Sequence, residues 1–360
     1  MNSENKLKFF VDPGWRRDTM QHIPLLYPWW GAVMNKEKSP FGAAAFEQYP
    51  IDTTTYSIVE DISAADLILM PYKHTHILRD DPNLLDECIA LSETTGKPLL
   101  VDGAADIDYP IRHDNVFVLR YGGYRFLRSP RDIIVPIYTE DLLARYGGGR
   151  LVLRKKEAMP TIGFTGWAEV PTKQYVRSVA KELPQRVRGI VDSRYRACKK
   201  GVFFRKEAVR ILRASSLVKT DLIARPTFSG HRDTMSATPD QLRKEFVDNI
   251  VGNDYALDVR GDANASTRLF EILSLGRIPV IIDTERNLPW SDLVDYSAFS
   301  LIVDFRAMDT LPARIAEFHR SLTEERFQQL QKTARDAYVS HFRTDVIAQH
   351  IVREIRNRLC

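Results

Sequence analysis

Short runs of apolar residues alternate with segments of helical spacing along almost the whole chain. In the first half, the apolar runs predict strands over residues 7–12, 65–71, 97–102, 116–119 and 133–136. The segment from Pro82 to Thr95 has helical spacing and stops at Gly96, a usual helix end. Because buried strands that alternate with crossover helices build parallel sheets, the pattern predicts an α/β protein.

A second alternating set follows three glycines at positions 147–149. Its predicted strands are 160–166, 187–191, 254–259, 278–283 and 300–304, and its predicted helices are 172–183, 204–214, 241–251, 267–275, 323–340 and 344–358. The glycines suit a hinge better than a phosphate loop, because no Walker lysine or Gly-x-Gly-x-x-Gly spacing accompanies them. We predict domains over 1–146 and 158–322, a linker over 147–157, and terminal helices over 323–360 that pack back on the first domain.

Composition and charge narrow the class of protein. Of 360 residues, 44% are hydrophobic and 27% charged, the balance of an ordinary globular protein. We find neither the ~18–20 apolar residues of a membrane span nor a secretory signal, and so expect a cytoplasmic location. The net charge of +4 is compatible with an anionic substrate or a peripheral contact with the inner membrane leaflet, but not with a nucleic-acid partner. The three cysteines show no metal-site or disulfide spacing, and we predict no metal.

The segment over 254–283 has the outline of a phosphate site. A buried strand stops at Arg260 and Gly261, a short polar loop follows, and Ser266 is the predicted cap of a helix that begins at Thr267. The free N–H groups of the first helical turn and the helix dipole would then face a cleft and favour an anion.

Charged side chains of this segment add to that prediction. Arg260 and Arg268 can each hold phosphate oxygens through two N–H groups, which lysine cannot do. Glu271, one turn along the helix, can accept both hydroxyls of a ribose. The alternative is an amphipathic crossover helix whose arginines extend into solvent, and spacing alone does not decide between the two.

The same segment resembles the exostosin family of glycosyltransferases. The family run of Arg-Gly, a short loop and Ser-x-Arg-x-x-Glu-x-Leu-x-x-Gly-x-Ile-Pro-Val-Ile is matched by Arg260, Gly261, Ser266, Arg268, Glu271, Leu273, Gly276, Ile278, Pro279, Val280 and Ile281. Upstream, residues 223–231 resemble the family segment that brings another arginine, here Arg225, near the donor. The resemblance is firm over about residues 221–304.

The resemblance implies a GT-B fold, in which two Rossmann-like domains face each other across a cleft. The C-terminal domain would hold a nucleotide-sugar donor, and the N-terminal domain would hold the acceptor. It also implies inversion at the anomeric carbon without a required metal. In retaining GT-B transferases a glutamate stands eight positions before the ribose-binding one, and this chain has Ala263 there. Because we find no membrane anchor in the sequence, we expect the chain to resemble the soluble bacterial or viral members of the family rather than the membrane-anchored eukaryotic ones.

An inverting transfer needs a stabilised leaving group and a base for the acceptor proton. We assign the first role to Arg260 and Arg268, with Arg225 and the helix start beside them. The loop at Gly166 follows a predicted strand and is placed to close over the donor phosphate. For the base we favour Asp106, after the third strand, over the other candidates Asp102, His74 and His76.

The expected function is an inverting hexosyl- or glycuronosyltransferase of surface polysaccharide synthesis. Its donor would be a UDP- or GDP-sugar, and its acceptor a glycan or a lipid-linked glycan. Two alternatives stay open at this point. Asp106 and Asp108 spell the Asp-x-Asp pattern of metal-dependent GT-A transferases. The chain could also be a non-catalytic subunit that binds a nucleotide sugar or a glycan.

Overall fold

The computed structural model describes residues 6–32, 40–106, 109–111, 113–227 and 237–359, without the side chains of residues 40 and 172–175. The N-terminal half forms a six-stranded parallel sheet in the order β2-β1-β3-β4-β5-β6. Its strands are β1 (Leu7–Phe10), β2 (Tyr56–Val59), β3 (Leu67–Lys73), β4 (Leu99–Asp102), β5 (Val116–Arg120) and β6 (Asp132–Ile134). Its helices are α1 (Tyr27–Trp30), α2 (Pro40–Gln48), α3 (His74–Asp80), α4 (Asn83–Thr95) and α5 (Leu142–Tyr146).

The C-terminal half forms a five-stranded parallel sheet in the order β11-β10-β9-β7-β8. Its strands are β7 (Thr161–Trp167), β8 (Lys219–Arg225), β9 (Tyr255–Asp258), β10 (Ile278–Asp283) and β11 (Leu301–Asp304). Its helices are α6 (Thr172–Lys181), α7 (Leu183–Val191), α8 (Gly201–Arg213), α9 (Pro239–Gly252), α10 (Thr267–Ser274), α11 (Leu311–Ser321), α12 (Glu324–Ala337) and α13 (Thr344–Leu359). Both sheets are parallel and carry crossover helices, which confirms the predicted α/β class.

The central strands read as unbroken apolar runs because helices cover both faces of each sheet. In β3, the six residues Leu67–Tyr72 are all buried, and β4 and β9 are buried throughout. Side chains of α12 and α13 belong to the same apolar core as the N-terminal sheet, and the Tyr338 hydroxyl donates to the Thr139 carbonyl at 3.1 Å. The terminal helices therefore pack beside the first sheet, while the domain boundaries stay a prediction.

Two features of the C-terminal half differ from the sequence prediction. The strand predicted over 187–191 is wrong, because these residues belong to helix α7. Its apolar residues Leu183, Val187 and Ile190 are spaced four and three apart, which is the helical period. Strand β8 was not predicted; it lies at the sheet edge, where half-exposed residues interrupt the apolar run.

The two halves meet at the carboxyl ends of their strands. The backbones of Tyr124 and Arg286 form an antiparallel bridge between them. Beside it, Asn264 Nδ2 donates to the Gly123 carbonyl at 3.1 Å. A Cβ added at Gly122 would collide with the Asn264 carbonyl oxygen, so the close approach of these two backbones requires glycine. The cleft between the sheets is thus closed on one side by direct backbone contact.

Candidate active site

Helix α10 begins at the carboxyl end of β9 without a side-chain cap. Ser266 is extended there (φ −146°, ψ 120°), but its hydroxyl accepts no hydrogen bond from the helix, contrary to the predicted cap. Thr267 is exposed at the first helical position, and the loop before it is closed by Gly261 N donating to the Ala265 carbonyl at 2.9 Å. The first-turn N–H groups therefore have no side-chain acceptor from Ser266, which leaves room for an anion.

Arg268 extends from this first turn toward the end of β7. Its Nη2 donates to the Thr165 carbonyl, and its guanidinium lies 4.3 Å above the Phe164 ring. Its Nε and Nη1 are buried without a hydrogen-bond partner. Gly166 has φ +151°, and a Cβ there would lie 2.7 Å from Arg268 Nη2. Gly166 thus makes the close approach of this guanidinium possible.

Arg260 is almost fully buried and holds backbone carbonyls. Nη1 donates to the Asp262 carbonyl at 3.0 Å, and Nη2 donates to the carbonyls of Ala197, at 3.0 Å, and Lys199. Its guanidinium lies 5.6 Å from the Tyr124 ring of the N-terminal half, and Nε has no partner. Burial lowers the pKa of Arg260. The side chain therefore fixes the loop before α10 rather than extending freely into the cleft.

Two arginines that sequence reasoning did not select complete the cluster. Arg286, after β10, donates to Asp258 and has Nε and Nη1 buried without a partner. Arg205 of α8 donates to the Val259 carbonyl at 3.3 Å. The pKa of Arg205 is lowered to about 9, mainly by burial and secondly by the positive charge of Arg268. We call Arg205, Arg260, Arg268 and Arg286 the arginine cluster.

The predicted ribose ligand Glu271 is buried and belongs to an ion-pair bridge between the two halves. Its Oε1 accepts from Arg243 Nη1 at 2.6 Å, and Arg243 Nε donates to Glu140 at 2.7 Å. Burial alone would lower the pKa of Arg243, but the carboxylates of Glu271 and Glu140 outweigh it, and the pKa is raised. Arg243 is a residue that sequence reasoning missed, because it and its two carboxylate partners come from three separate segments of the chain.

Arg225 lies at the same end of the C-terminal sheet, opposite Trp167 in the register of β8 and β7. Its guanidinium pairs with Glu245 of α9. Residues 228–231 of the same predicted segment lie outside the described residues. The structure thus places Arg225 at the carboxyl edge of the sheet, where it is paired with a carboxylate.

Asp106 follows β4 on the opposite wall and is exposed to solvent. The surrounding protein still desolvates part of its carboxyl group; this, and next the charge of Asp262 from the C-terminal half, raises its pKa, while Lys73 opposes the shift. Asp102 is buried, and its Oδ1 accepts from Ala104 N at 2.9 Å. Asp262 is a further carboxylate at the cleft that sequence reasoning did not select. Asp108, the other half of the Asp-x-Asp pattern, lies outside the described residues.

The histidine candidates occupy the start of α3. His74 is buried with its ring 6.1 Å from the Tyr109 ring, and His76 is half-buried. Burial lowers the pKa of both, so they are neutral at pH 7. In the part of the chain that the structure covers, no three His, Cys, Asp or Glu side chains group as metal ligands would. In the same part, no helix combines the length and the apolar character that a membrane span needs.

Two parallel α/β units that meet at the carboxyl ends of their strands define the GT-B class, as predicted. Residues 148–318 match the model of the Exostosin GT47 domain. An exostosin-1 homologue of Caenorhabditis elegans is 29% identical over 118 residues, which make up 32% of this chain and 30% of that protein. The match therefore spans less than a third of that relative's length. The C-terminal half of the chain is therefore similar to the exostosin family over its GT47 domain, which confirms the resemblance.

The solved structures with a similar fold have lower sequence identity to this chain than the exostosin-1 homologue. HepE of Anabaena in complex with UDP is 11% identical, covers 98% of this chain and 99% of that chain, and has a TM-score of 0.39. TarM is 9% identical, covers 75% of this chain and 58% of that chain, and has a TM-score of 0.34. Both likenesses are weak, and the fold class rests on the strand topology and the matched domain.

Proposed function

We propose that the chain is an inverting, metal-independent glycosyltransferase. It would move a hexosyl or glycuronosyl group from a UDP- or GDP-sugar to a hydroxyl of a glycan or lipid-linked glycan in surface polysaccharide synthesis. One observation carries the proposal. Among the described residues, Arg268 and Arg286 are the two arginines that have two buried nitrogens without a hydrogen-bond partner. Both belong to the arginine cluster at the cleft.

A diphosphate suits this cluster because buried cations without acceptors are unfavourable unless an anion joins them. Asp258 is the carboxylate that pairs with Arg286, and it also lowers the electrostatic cost of Arg205 and Arg268. Arg268 and Arg286 would donate to the phosphate oxygens, together with the first-turn N–H groups of α10. Arg260 would hold the loop that presents them. Glu271, fixed by Arg243, would accept the ribose hydroxyls.

In the proposed reaction the acceptor oxygen attacks the anomeric carbon from the face opposite the diphosphate. The new carbon–oxygen bond forms as the bond to the diphosphate oxygen breaks, and the diphosphate leaves with the electron pair. Asp106 takes the acceptor proton, and its raised pKa, due to desolvation and Asp262, makes it a stronger base. Inversion is supported by Ala263, which replaces the glutamate of retaining relatives.

The metal independence of the proposal rests on the same cluster. Guanidinium groups that converge on a leaving diphosphate supply the charge stabilisation that a divalent cation supplies in other transferases. The GT-A alternative does not fit, because the matched GT47 domain is C-terminal to Asp106. We expect turnover to survive an excess of chelator.

Nucleotide binding tests the donor site directly. Titration calorimetry with UDP, GDP, UMP and uridine should show that affinity depends on the diphosphate. A nucleotide at 100 times its Kd should stabilise the protein by about 2.7 kcal/mol. Arg268→Gln should weaken diphosphate binding at least tenfold, whereas Arg314→Gln, at an exposed position of α11, should not. Equal affinities for UDP and uridine would contradict the proposed site.

A non-catalytic nucleotide-sugar-binding subunit is the second candidate. The observation in its favour is that both Nη groups of Arg260 already donate to backbone carbonyls, so this arginine has a structural role in any case. Incubation with UDP-sugars and GDP-sugars, with release of the free diphosphate as the readout, separates the candidates. Tight binding without any release, across donors and glycan acceptors, would favour the binding subunit.

A further inference from the structure

Helix α7 exposes an apolar face. The side chains of Leu183, Val187 and Ile190 are 56%, 55% and 78% exposed, and Val191 at the helix end is 92% exposed. Val176 of the neighbouring α6 is 61% exposed. Of the fifteen large apolar side chains exposed in the described part of the chain, these five lie within sixteen consecutive residues. We call them the α6–α7 patch, and a patch of this kind marks a binding surface.

Basic residues lie between and directly after the patch residues along the chain. Residues 176–196 contain six Lys or Arg and two Asp or Glu, so this short stretch carries as much net positive charge as the whole chain. The two acidic residues are already paired, Glu182 with Arg186 and Asp192 with Arg194. Next to α7, a cavity of about 300 Å³ is lined by four basic and two acidic residues, namely Arg186, Arg196, Lys199, Arg306, Glu182 and Glu207. The surroundings of the patch therefore favour an anionic partner.

We propose that the α6–α7 patch docks on an anionic lipid bilayer. The apolar residues would enter the boundary between headgroups and acyl chains, and the surrounding basic residues would pair with lipid phosphates. A second copy of the chain fits less well, because a two-fold contact would press this positive surface against itself. A short helix with an apolar face and a basic border is the arrangement that interfacial binding requires.

The position of the patch also connects it with the cleft. Arg196 Nε donates to the Gly189 carbonyl of α7 at 2.9 Å, and Lys200 N donates to Glu182 at 2.9 Å. The carbonyls of Ala197 and Lys199, in the same segment, accept from Arg260. Docking would hold the cleft close to the bilayer, where a lipid-linked acceptor lies; this last step rests on the proposed function.

Vesicle sedimentation with the full chain tests the docking independently of any transferase activity. We expect at least about tenfold stronger binding to vesicles of phosphatidylglycerol with phosphatidylcholine than to phosphatidylcholine alone, and weaker binding as salt is added. The double variant V187D/I190D should lose about tenfold or more of this binding. The control V152D, at a 70% exposed valine of the linker, should bind as the wild type does.

A second pair of variants tests the charge. R177E/K181E should lose at least about tenfold, whereas R326E/K332E, at exposed positions of α12, should change little. Unchanged thermal unfolding would confirm that all variants fold. Undiminished binding by V187D/I190D, or equal binding to both kinds of vesicle, would overturn the proposal. It would also be overturned if the wild type binds no vesicles but forms a dimer that V187D/I190D dissolves.

Discussion

Gly166→Ala is the substitution that tests the arginine cluster most sharply. The new Cβ would lie 2.7 Å from Arg268 Nη2, closer than real Cβ contacts, and the backbone there has φ +151°. The backbone term should cost roughly 1–3 kcal/mol of unfolding free energy, because side chains other than hydrogen disfavour this region. The contact itself is relieved by moving the end of Arg268, which is flexible. The guanidinium then leaves the position from which it donates to the Thr165 carbonyl.

The expected result is a folded protein with a defective donor site. Loss of one well-placed charge-stabilising donor commonly costs 10²- to 10³-fold in rate, and we expect a fall in kcat/KM of about this order. UDP affinity measured by calorimetry should fall about tenfold. Gly252→Ala is the matched control, since a Cβ there meets nothing within 4 Å. If Gly166→Ala binds UDP and turns over donor as the wild type does, Arg268 does not act from this position.

Four further predictions concern the base, the charge cluster, the inter-unit bridge and pH. Asp106→Asn should lower kcat about 10²- to 10⁴-fold at unchanged UDP affinity. An unchanged kcat would show that another residue is the general base. Arg205→Gln should weaken UDP binding about tenfold. In urea unfolding, the free variant should be as stable as the wild type or more stable, because the substitution removes the charge repulsion between Arg205 and Arg268. Arg243→Met leaves the buried carboxylate of Glu271 without its ion-pair partner and Glu140 with Arg145 alone, and should cost about 3–5 kcal/mol in urea unfolding. Burial lowers the pKa of His341 and His350, whose ring nitrogens are 3.3 Å apart. The unfolded chain therefore binds more protons below about pH 6.5, so Tm should fall as the pH falls through that range, and less so in His350→Gln.

Local pattern was sufficient for the buried strands and insufficient for two of the four edge strands. The strand predicted over 278–283 is found with the same bounds, because an unbroken apolar run follows the helix end at Gly276. Strands β2 and β8 were missed, and each lies at the edge of its sheet with partly exposed residues. The segment 187–191 was mistaken for a strand because exposed valine and isoleucine residues imitate a buried run.

The candidate site divides in the same way. Arg260 and Arg268 could be found because both stand close to the end of one strand, within the segment that also carries the family motif. Arg205, Arg243 and Arg286 come from other elements, and only the folded chain brings them to the carboxyl edge of the sheet. Nor could spacing show that Arg260 donates to carbonyls, since its acceptors at Ala197 and Lys199 are about sixty positions away.

Arginines at the junction of the two halves fall into two groups, and the difference between them supports the proposed anion site. Arg335 holds both oxygens of Asp141 at 2.7 Å, and Arg125 holds both oxygens of Asp283 at 2.9–3.0 Å. These pairs are complete and join the two units. In the arginine cluster, by contrast, Arg268 and Arg286 keep buried N–H groups without acceptors. This contrast between paired arginines at the junction and unsatisfied ones at the cleft supports the proposal that the cleft binds a multiply charged anion.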